Sequence, residues 1–234
     1  MDPQARPLIA IPARCAATAS GLRFAAEVNA RALVRAVWRA GGEPVSIHPA
    51  EPADVPVRLG RFDGVLLPGG GDLAPHHYGG VCACRDDDSG INTEQDGFDL
   101  AVARYCLDAG LPLLAVCRGL QVVNTALGGS LENMDGPGHE HRHFRHQVVT
   151  QPDSVLEQAM GAGAVTVSCD HHQRVARTGS GVTVTSRAGD GTVESLEVPG
   201  ASGWFVAVQW HPEDTAHEDP AQQGLFDALV SHSS

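Results

Sequence analysis

The chain has 234 residues, 42% of them hydrophobic, and its 28 acidic side chains against 16 basic ones give a formal net charge of −12. That length and composition suit one compact α/β core, and the acidic balance repels nucleic-acid phosphates and anionic lipid surfaces alike, so nucleic acid and membrane are not expected partners. The amino terminus, MDPQARPLIAIPAR, has no continuous apolar run, and the apolar stretch from Leu111 to Leu127 is broken by Arg118, Gln121 and Asn124, so neither a secretory leader nor a spanning helix is expected and the cytoplasm is the default location.

In chain order, Leu8 to Ile11 is a short apolar run stopped by Pro12, as expected of a buried strand. Leu33, Ala36, Val37 and Ala40 repeat at helical spacing before Gly41-Gly42, which predicts a helix over 22–40. Strands are expected at 44–47 and 64–67, the second stopped by Pro68-Gly69-Gly70-Gly71. Phe98, Ala101, Val102, Tyr105, Cys106 and Ala109 mark the clearest amphipathic helix, closed by Gly110. A strand over 112–116 then runs into a helix over 118–127. This alternation predicts a mostly parallel sheet covered on both faces. The carboxyl half is richer in strands, at 146–150, 165–167, 182–186, 193–198 and 205–210, with Asp190-Gly191 as a hairpin turn and a last helix over 222–230.

Cys15, Cys82, Cys84, Cys106, Cys117 and Cys169 are too irregularly spaced for a disulfide framework, and most are expected as reduced thiols. Cys117 differs from the rest because it stands where a buried strand turns directly into a helix. There the free N–H groups of the helix amino terminus favour a thiolate and can bind an oxyanion. Gly119 removes a side chain where strand and helix pass closely. Near the carboxyl end a strand leads into His211-Pro212-Glu213; in an extended chain the imidazole and the carboxylate share one side, and a carboxylate beside an imidazole fixes its tautomer and stabilises the imidazolium. Gly69-Gly70-Gly71-Asp72 follows a parallel strand, at the sheet edge where α/β proteins bind ligands, and glycines let backbone N–H groups approach a carbonyl oxygen.

The blocks PGGGD, AVCRGLQVVNTALGG, DHHQ and VQWHPE, in this order, resemble the class I glutamine amidotransferase superfamily and, within it, the γ-glutamyl-γ-aminobutyrate hydrolase-like branch of cysteine peptidases, of the C26 type. The resemblance covers nearly the whole chain and implies one domain over 1–234, a three-layer, flavodoxin-like α/β sandwich. It implies that Cys117 attacks a γ-glutamyl amide, that His211 acts as base and then acid, and that Glu213 orients His211. It places the oxyanion hole at the backbone N–H groups of Arg118 and Gly70, with Gly69 or Gly71 as alternatives. It gives Gln121 a contact to the glutamyl group, and the loop Asp170-His171-His172-Gln173 the glutamyl amino and carboxylate ends. The chain departs from the branch at Ser168-Cys169, where relatives carry Asn-Ser, which leaves the leaving group open.

The expected reaction, hydrolysis of a small γ-glutamyl compound through a γ-glutamyl thioester, needs no metal or organic cofactor. Other readings use the same residues: a glutaminase subunit passing ammonia to a separate synthetase, a γ-glutamyl-transferring biosynthetic enzyme, or an inactive γ-glutamyl-binding protein. A homodimer is the statistical default. His139, His141, His143 and His146 lie in a Gly/Pro-flanked loop and are expected to be solvated; His76, His77, Cys82 and Cys84 lack the spacing of a structural zinc site and are expected to line the substrate side. Asp86-Asp87-Asp88 reads as a solvated loop tip, and Cys169 lacks an elbow.

Overall fold

The computed structural model describes residues 5–80, 90–134 and 141–234. Strands run Leu8–Pro12 (β1), Arg14–Ala16 (β2), Ala26–Val28 (β3), Glu43–Ile47 (β4), Gly64–Leu67 (β5), Leu113–Val116 (β6), Ser130–Asn133 (β7), Arg142–Thr150 (β8), Ala164–Asp170 (β9), Gln173–Arg177 (β10), Thr183–Arg187 (β11), Val193–Glu197 (β12) and Phe205–Val208 (β13). Helices run Arg31–Arg39 (α1), Val55–Leu59 (α2), Thr93–Ala109 (α3), Arg118–Ala126 (α4), Val155–Met160 (α5) and Pro220–His232 (α6).

Nine strands form one sheet in the order β4-β1-β5-β6-β13-β12-β11-β8-β9; the first five are parallel and the other four continue it antiparallel. Successive side chains of a strand point to opposite faces, so each central strand feeds two cores. Leu114, Val116, Val206 and Val208 pack on the side of α1, α5 and α6, while Leu113, Ala115, Phe205 and Ala207 pack on the side of α2, α3 and α4. The result is the expected three-layer α/β sandwich.

Three parallel strands end level with one another. Leu67 of β5 pairs with Ala115 of β6, and Val208 of β13 with Val116 of β6. The glycine loop, Cys117 and the segment leading to His211 therefore leave the same edge of the sheet.

The helix expected over 22–40 is a correction: only Arg31–Arg39 is helical, because the apolar repeat begins at Leu33 and nothing upstream continues it. Leu22 and Phe24 are exposed, and Ala26–Val28 pairs with Arg14–Ala16 in a small antiparallel ribbon. The Asp190-Gly191 turn joins β11 to β12, with Gly191 at φ +89° and its N–H donating to Ala188.

Candidate active site

Cys117 sits between β6 and α4 at φ +51°, ψ −109°, outside the regions a residue with a Cβ ordinarily occupies. Its neighbours hold that conformation. The Cys117 N–H donates to Val208 O at 2.7 Å, tying the turn to β13. Two residues on, a Cβ at Gly119 would lie 2.3 Å from the Leu67 carbonyl oxygen, so only glycine lets α4 begin this close to β5. The thiol is buried, and Gln209 Nε2 approaches Sγ at 3.7 Å.

His211 is fixed at its backbone, where its N–H donates to Ser168 O at 2.8 Å. The chain is not extended through Glu213, as the i, i+2 reading expects: Pro212 opens a 3-10 turn over Pro212–Asp214. Folded back this way, Glu213 Oε1 meets His211 Nδ1 at 2.8 Å. A Cβ added at Gly69 would stand 2.9 Å from His211 Cε1 and 3.6 Å from the Cys117 Cβ, which places imidazole and thiol side by side over that glycine. Burial lowers the His211 pKa, but the charges of Cys117 and Glu213 and their hydrogen bonds outweigh it and hold the imidazolium well above the ordinary histidine range.

The glycine loop is clamped from behind by a residue that the sequence reading does not single out. Arg14 Nε donates to Gly69 O at 2.6 Å and Nη2 to Pro68 O at 2.5 Å, while Nη1 meets Asp99 at 2.6 Å. Across a trans peptide the N–H points opposite to the carbonyl, so with Gly69 O drawn to Arg14 the Gly70 N–H faces away from it. Among the described residues, neither the Gly70 N–H nor the Arg118 N–H donates to a backbone or side-chain acceptor. The Arg118 side chain turns into the interior, where it pairs with Asp99 and, at 2.6 Å, with Asp96; Asp96 in turn accepts the Ala74 N–H at 3.0 Å. Burial brings the Arg14 pKa down to about 10. For Arg118 burial also lowers the pKa, but Asp99 and Asp96 reverse the direction.

The 170–173 loop lies opposite the glycine loop, and His172 Nε2 bridges the two by meeting Asp72 Oδ2 at 2.9 Å. That hydrogen bond raises the His172 pKa against the effect of burial. Gln173 Nε2 donates to Asn133 Oδ1 at 3.0 Å and lies 3.4 Å from Tyr78 Oη, while its Oε1 is buried without a partner among the described residues. Gln121 is buried and spends its amide on Gln173 O at 3.1 Å and Gln209 Oε1 at 3.4 Å, so it anchors the loop from below. His171 turns inward, its Nδ1 donating to Gln173 O at 2.9 Å, and Asp170 is partly exposed beside His143.

The expectation of a solvated histidine loop needs correction at His141, which is 1% exposed, and at His146, which is largely covered. Both rings tuck under the hairpin made by β11 and β12 instead of facing solvent. His143 is exposed as expected. The His76 and His77 rings lie with centroids 4.0 Å apart, tilted by 40° to each other; Cys82, Cys84, the aspartates 86–88 and His139 lie outside the described residues.

What the sequence reading misses here is Arg14, Asp72, Asp96, Asp99 and Gln209. Two of these had a signal: Asp72 and Gln209 sit inside the PGGGD and VQWHPE blocks. Asp96 and Asp99 stand three apart on the same helix as Phe98, and both are fully buried, which marks them as paired charges only once the fold is known.

Among the described residues no helix is long and apolar enough to cross a membrane. The fold matches a solved structure from Thermoplasma acidophilum, provisionally described as one of the subunits of GMP synthase, with a TM-score of 0.66 over 97% of this chain and 96% of that one at 16% identity. In sequence, the chain is 35% identical over 208 residues to Rv2859c of Mycobacterium tuberculosis, whose name assigns it provisionally to the glutamine amidotransferases; the match covers 85% of this chain and 65% of that protein. It is 30% identical to protein NtpR of Enterococcus hirae (84% of this chain, 86% of that one) and 28% identical to the γ-glutamyl-γ-aminobutyrate hydrolase PuuD of Escherichia coli strain K12 (85% and 83%). The Peptidase C26 family model matches residues 7–213, and the chain belongs to that family of glutamine amidotransferase-like hydrolases.

Proposed function

We propose that this protein hydrolyses the γ-glutamyl amide bond of a small compound, such as γ-glutamyl-γ-aminobutyrate, to glutamate and an amine, with Cys117, His211 and Glu213 as its catalytic triad. The observation that carries the reading is the pairing of His211 Nδ1 with Glu213 at 2.8 Å beside a cysteine held at φ +51° on a strand-to-helix elbow.

In this reading the Cys117 thiolate, formed by proton transfer to His211, attacks the γ-carbonyl carbon. The resulting oxyanion takes hydrogen bonds from the Gly70 and Arg118 N–H groups, with Gly69 as an alternative donor. His211 then gives its proton to the departing amine, and water resolves the thioester with His211 as base. Glu213 stabilises the imidazolium throughout. The unpartnered Gln173 Oε1 offers an acceptor to the substrate's α-ammonium group, and Gln121 and His172 hold its loop in place. Asp170 and His171 frame the same loop.

The test is glutamate release, followed by mass spectrometry, from glutamine, γ-glutamyl-γ-aminobutyrate and a panel of γ-glutamyl amines. We expect release from at least one γ-glutamyl amine by the chain alone, abolished by Cys117→Ala. Release from glutamine only, and only with an added synthetase, would replace this reading with that of a glutaminase subunit.

A further inference from the structure

Beneath the 170–173 loop lies a second group of ionisable side chains that the proposed reaction does not use. His141, His146, His171 and Cys169 surround Glu194, which is completely buried. Glu194 Oε1 lies 3.2 Å from His141 Nδ1, 3.5 Å from His146 Nε2, 3.8 Å from His171 Nε2 and 4.0 Å from Cys169 Sγ, whose other carboxylate contact, to Oε2, is 3.7 Å. One nitrogen, oxygen or sulfur atom from each of His141, His146, Cys169 and Glu194 lies within 4.8 Å of all the others.

Cys169 Sγ donates to the Glu194 carboxylate, but the imidazoles around it are not arranged as its hydrogen-bonded partners. Among the described residues, the inward nitrogens of His141, His146 and His171 are buried and make no hydrogen bond, although two of them lie close enough to Glu194 to do so. The opposite nitrogens of two rings explain why. His141 Nε2 faces Asp190 Oδ2 at 3.2 Å and His171 Nδ1 faces the Gln173 carbonyl at 2.9 Å. Both partners are acceptors, so in the neutral rings the proton sits on the outward nitrogen and a lone pair faces the Glu194 carboxylate. A buried carboxylate facing these rings needs positive charge beside it, carried by a protonated ring or by a cation bound between them. A histidine ring oriented by a carboxylate or a backbone carbonyl on its far nitrogen is also how proteins aim imidazole at a metal.

We propose that His141 Nδ1, His146 Nε2, Cys169 Sγ and Glu194 Oε1 bind one divalent transition-metal ion of the zinc class, with His171 behind them. Tetrahedral ligands at zinc distances stand about 3.3 to 3.5 Å apart. The contacts to Glu194 Oε1, at 3.2, 3.5 and 4.0 Å, bracket that spacing, and the remaining pairs, within 4.8 Å, would close onto the ion. The charges also close: two neutral imidazoles, one thiolate and one carboxylate balance a divalent cation, so the buried site is neutral. Binding releases the Cys169 thiol proton to solvent. A surface cavity of about 270 Å³ borders the outer side of His141 and His146, between Phe144 and Asp190. The bound ion would join β8, β9 and β12 two residues before His171, a role that does not depend on which amide is cleaved.

The test is metal content and metal spectroscopy, independent of activity. Full-length protein purified from zinc-supplemented cells and gel-filtered should carry about one zinc per chain, retained in Cys117→Ala and lost in His141→Gln and Glu194→Gln. Chelator-treated wild type titrated with Co²⁺, which needs no substitution and so no refolding of a variant, should show the visible bands of tetrahedral cobalt together with a thiolate-to-cobalt charge-transfer band that Cys169→Ser removes. Wild type that is free of metal and gives no tetrahedral cobalt spectrum overturns the proposal. So does metal that is lost in Cys117→Ala but kept in His141→Gln, which would place the ion on the reactive thiol instead.

Discussion

Cys117 and, through Nδ1, Glu213 together make His211 hold its proton above the ordinary histidine range. Glu213→Gln keeps the side chain's size and an acceptor but removes the charge, so the imidazolium should dissociate at a lower pH. If the proposed reaction holds, kcat falls by roughly 10²- to 10⁴-fold and the alkaline limb of the rate profile, where His211 ceases to be an acid, moves to lower pH; glutamate release measured across pH reads both. The same shift fixes a sign for stability. A group whose folded pKa is raised stabilises fully below its unfolded value, about 6.5 for histidine, and ceases to do so as pH rises through the folded one. The melting-temperature advantage of wild type over Glu213→Gln should therefore be largest in mild acid and shrink on the alkaline side. Cys117, His211 and Glu213 were legible as residues because each lies in a short motif whose neighbours in sequence are its neighbours in space. Arg14 was not, since its partner Asp99 is 85 residues away and nothing beside Arg14 marks a buried charge.

The elements that could be read were those whose signal is local. β5 and β6 are short continuous apolar runs and α4 is closed by Gly128-Gly129, and they position Cys117. The ribbon of β2 and β3, and the pair of β7 with β10, were not legible, because each strand is short and finds its partner across a long loop. Glycine within an element separates packing from propensity in a way that can be measured. At Gly119 in α4 an added methyl would meet the Leu67 carbonyl at 2.3 Å, a backbone atom that cannot swing aside; at Gly97 in α3 it would meet only Pro52 Cγ at 3.4 Å, ordinary contact. Gly97→Ala should therefore stabilise by about 0.5–1 kcal/mol through helix propensity. Gly119→Ala should destabilise by about 1–3 kcal/mol through overpacking, and should slow alkylation of Cys117 by a glutamine-mimicking electrophile because the elbow is pushed off β5. Thermal melts of the two variants should move in opposite directions.

At the scale of the whole molecule, the sheet edge is closed from behind by charges drawn from separate parts of the chain. Arg14 follows β1, Asp96 and Asp99 lie on α3, and Arg118 opens α4; two cations and two anions balance, and Arg14 also turns the Pro68 and Gly69 carbonyls away from the thiol. Chain order gives no hint of this closure, since it exists only after β1, β5 and β6 are side by side. Arg118 is its centre, paired with both aspartates and almost fully covered. Arg118→Met preserves the backbone N–H and much of the side-chain volume but leaves Asp96 without its cation and Asp99 with Arg14 alone. Breaking a buried pair in this way costs roughly 3–5 kcal/mol, which for a chain of this size lowers the melting temperature by roughly 6–20 °C. Adding Asp96→Asn should recover part of that loss, because the orphaned anion is then gone and Arg14 and Asp99 remain paired, and a double-mutant cycle on melting temperature measures the recovery. Losses that simply add would mean that the four charges act independently and that the glycine loop is held by its own turn.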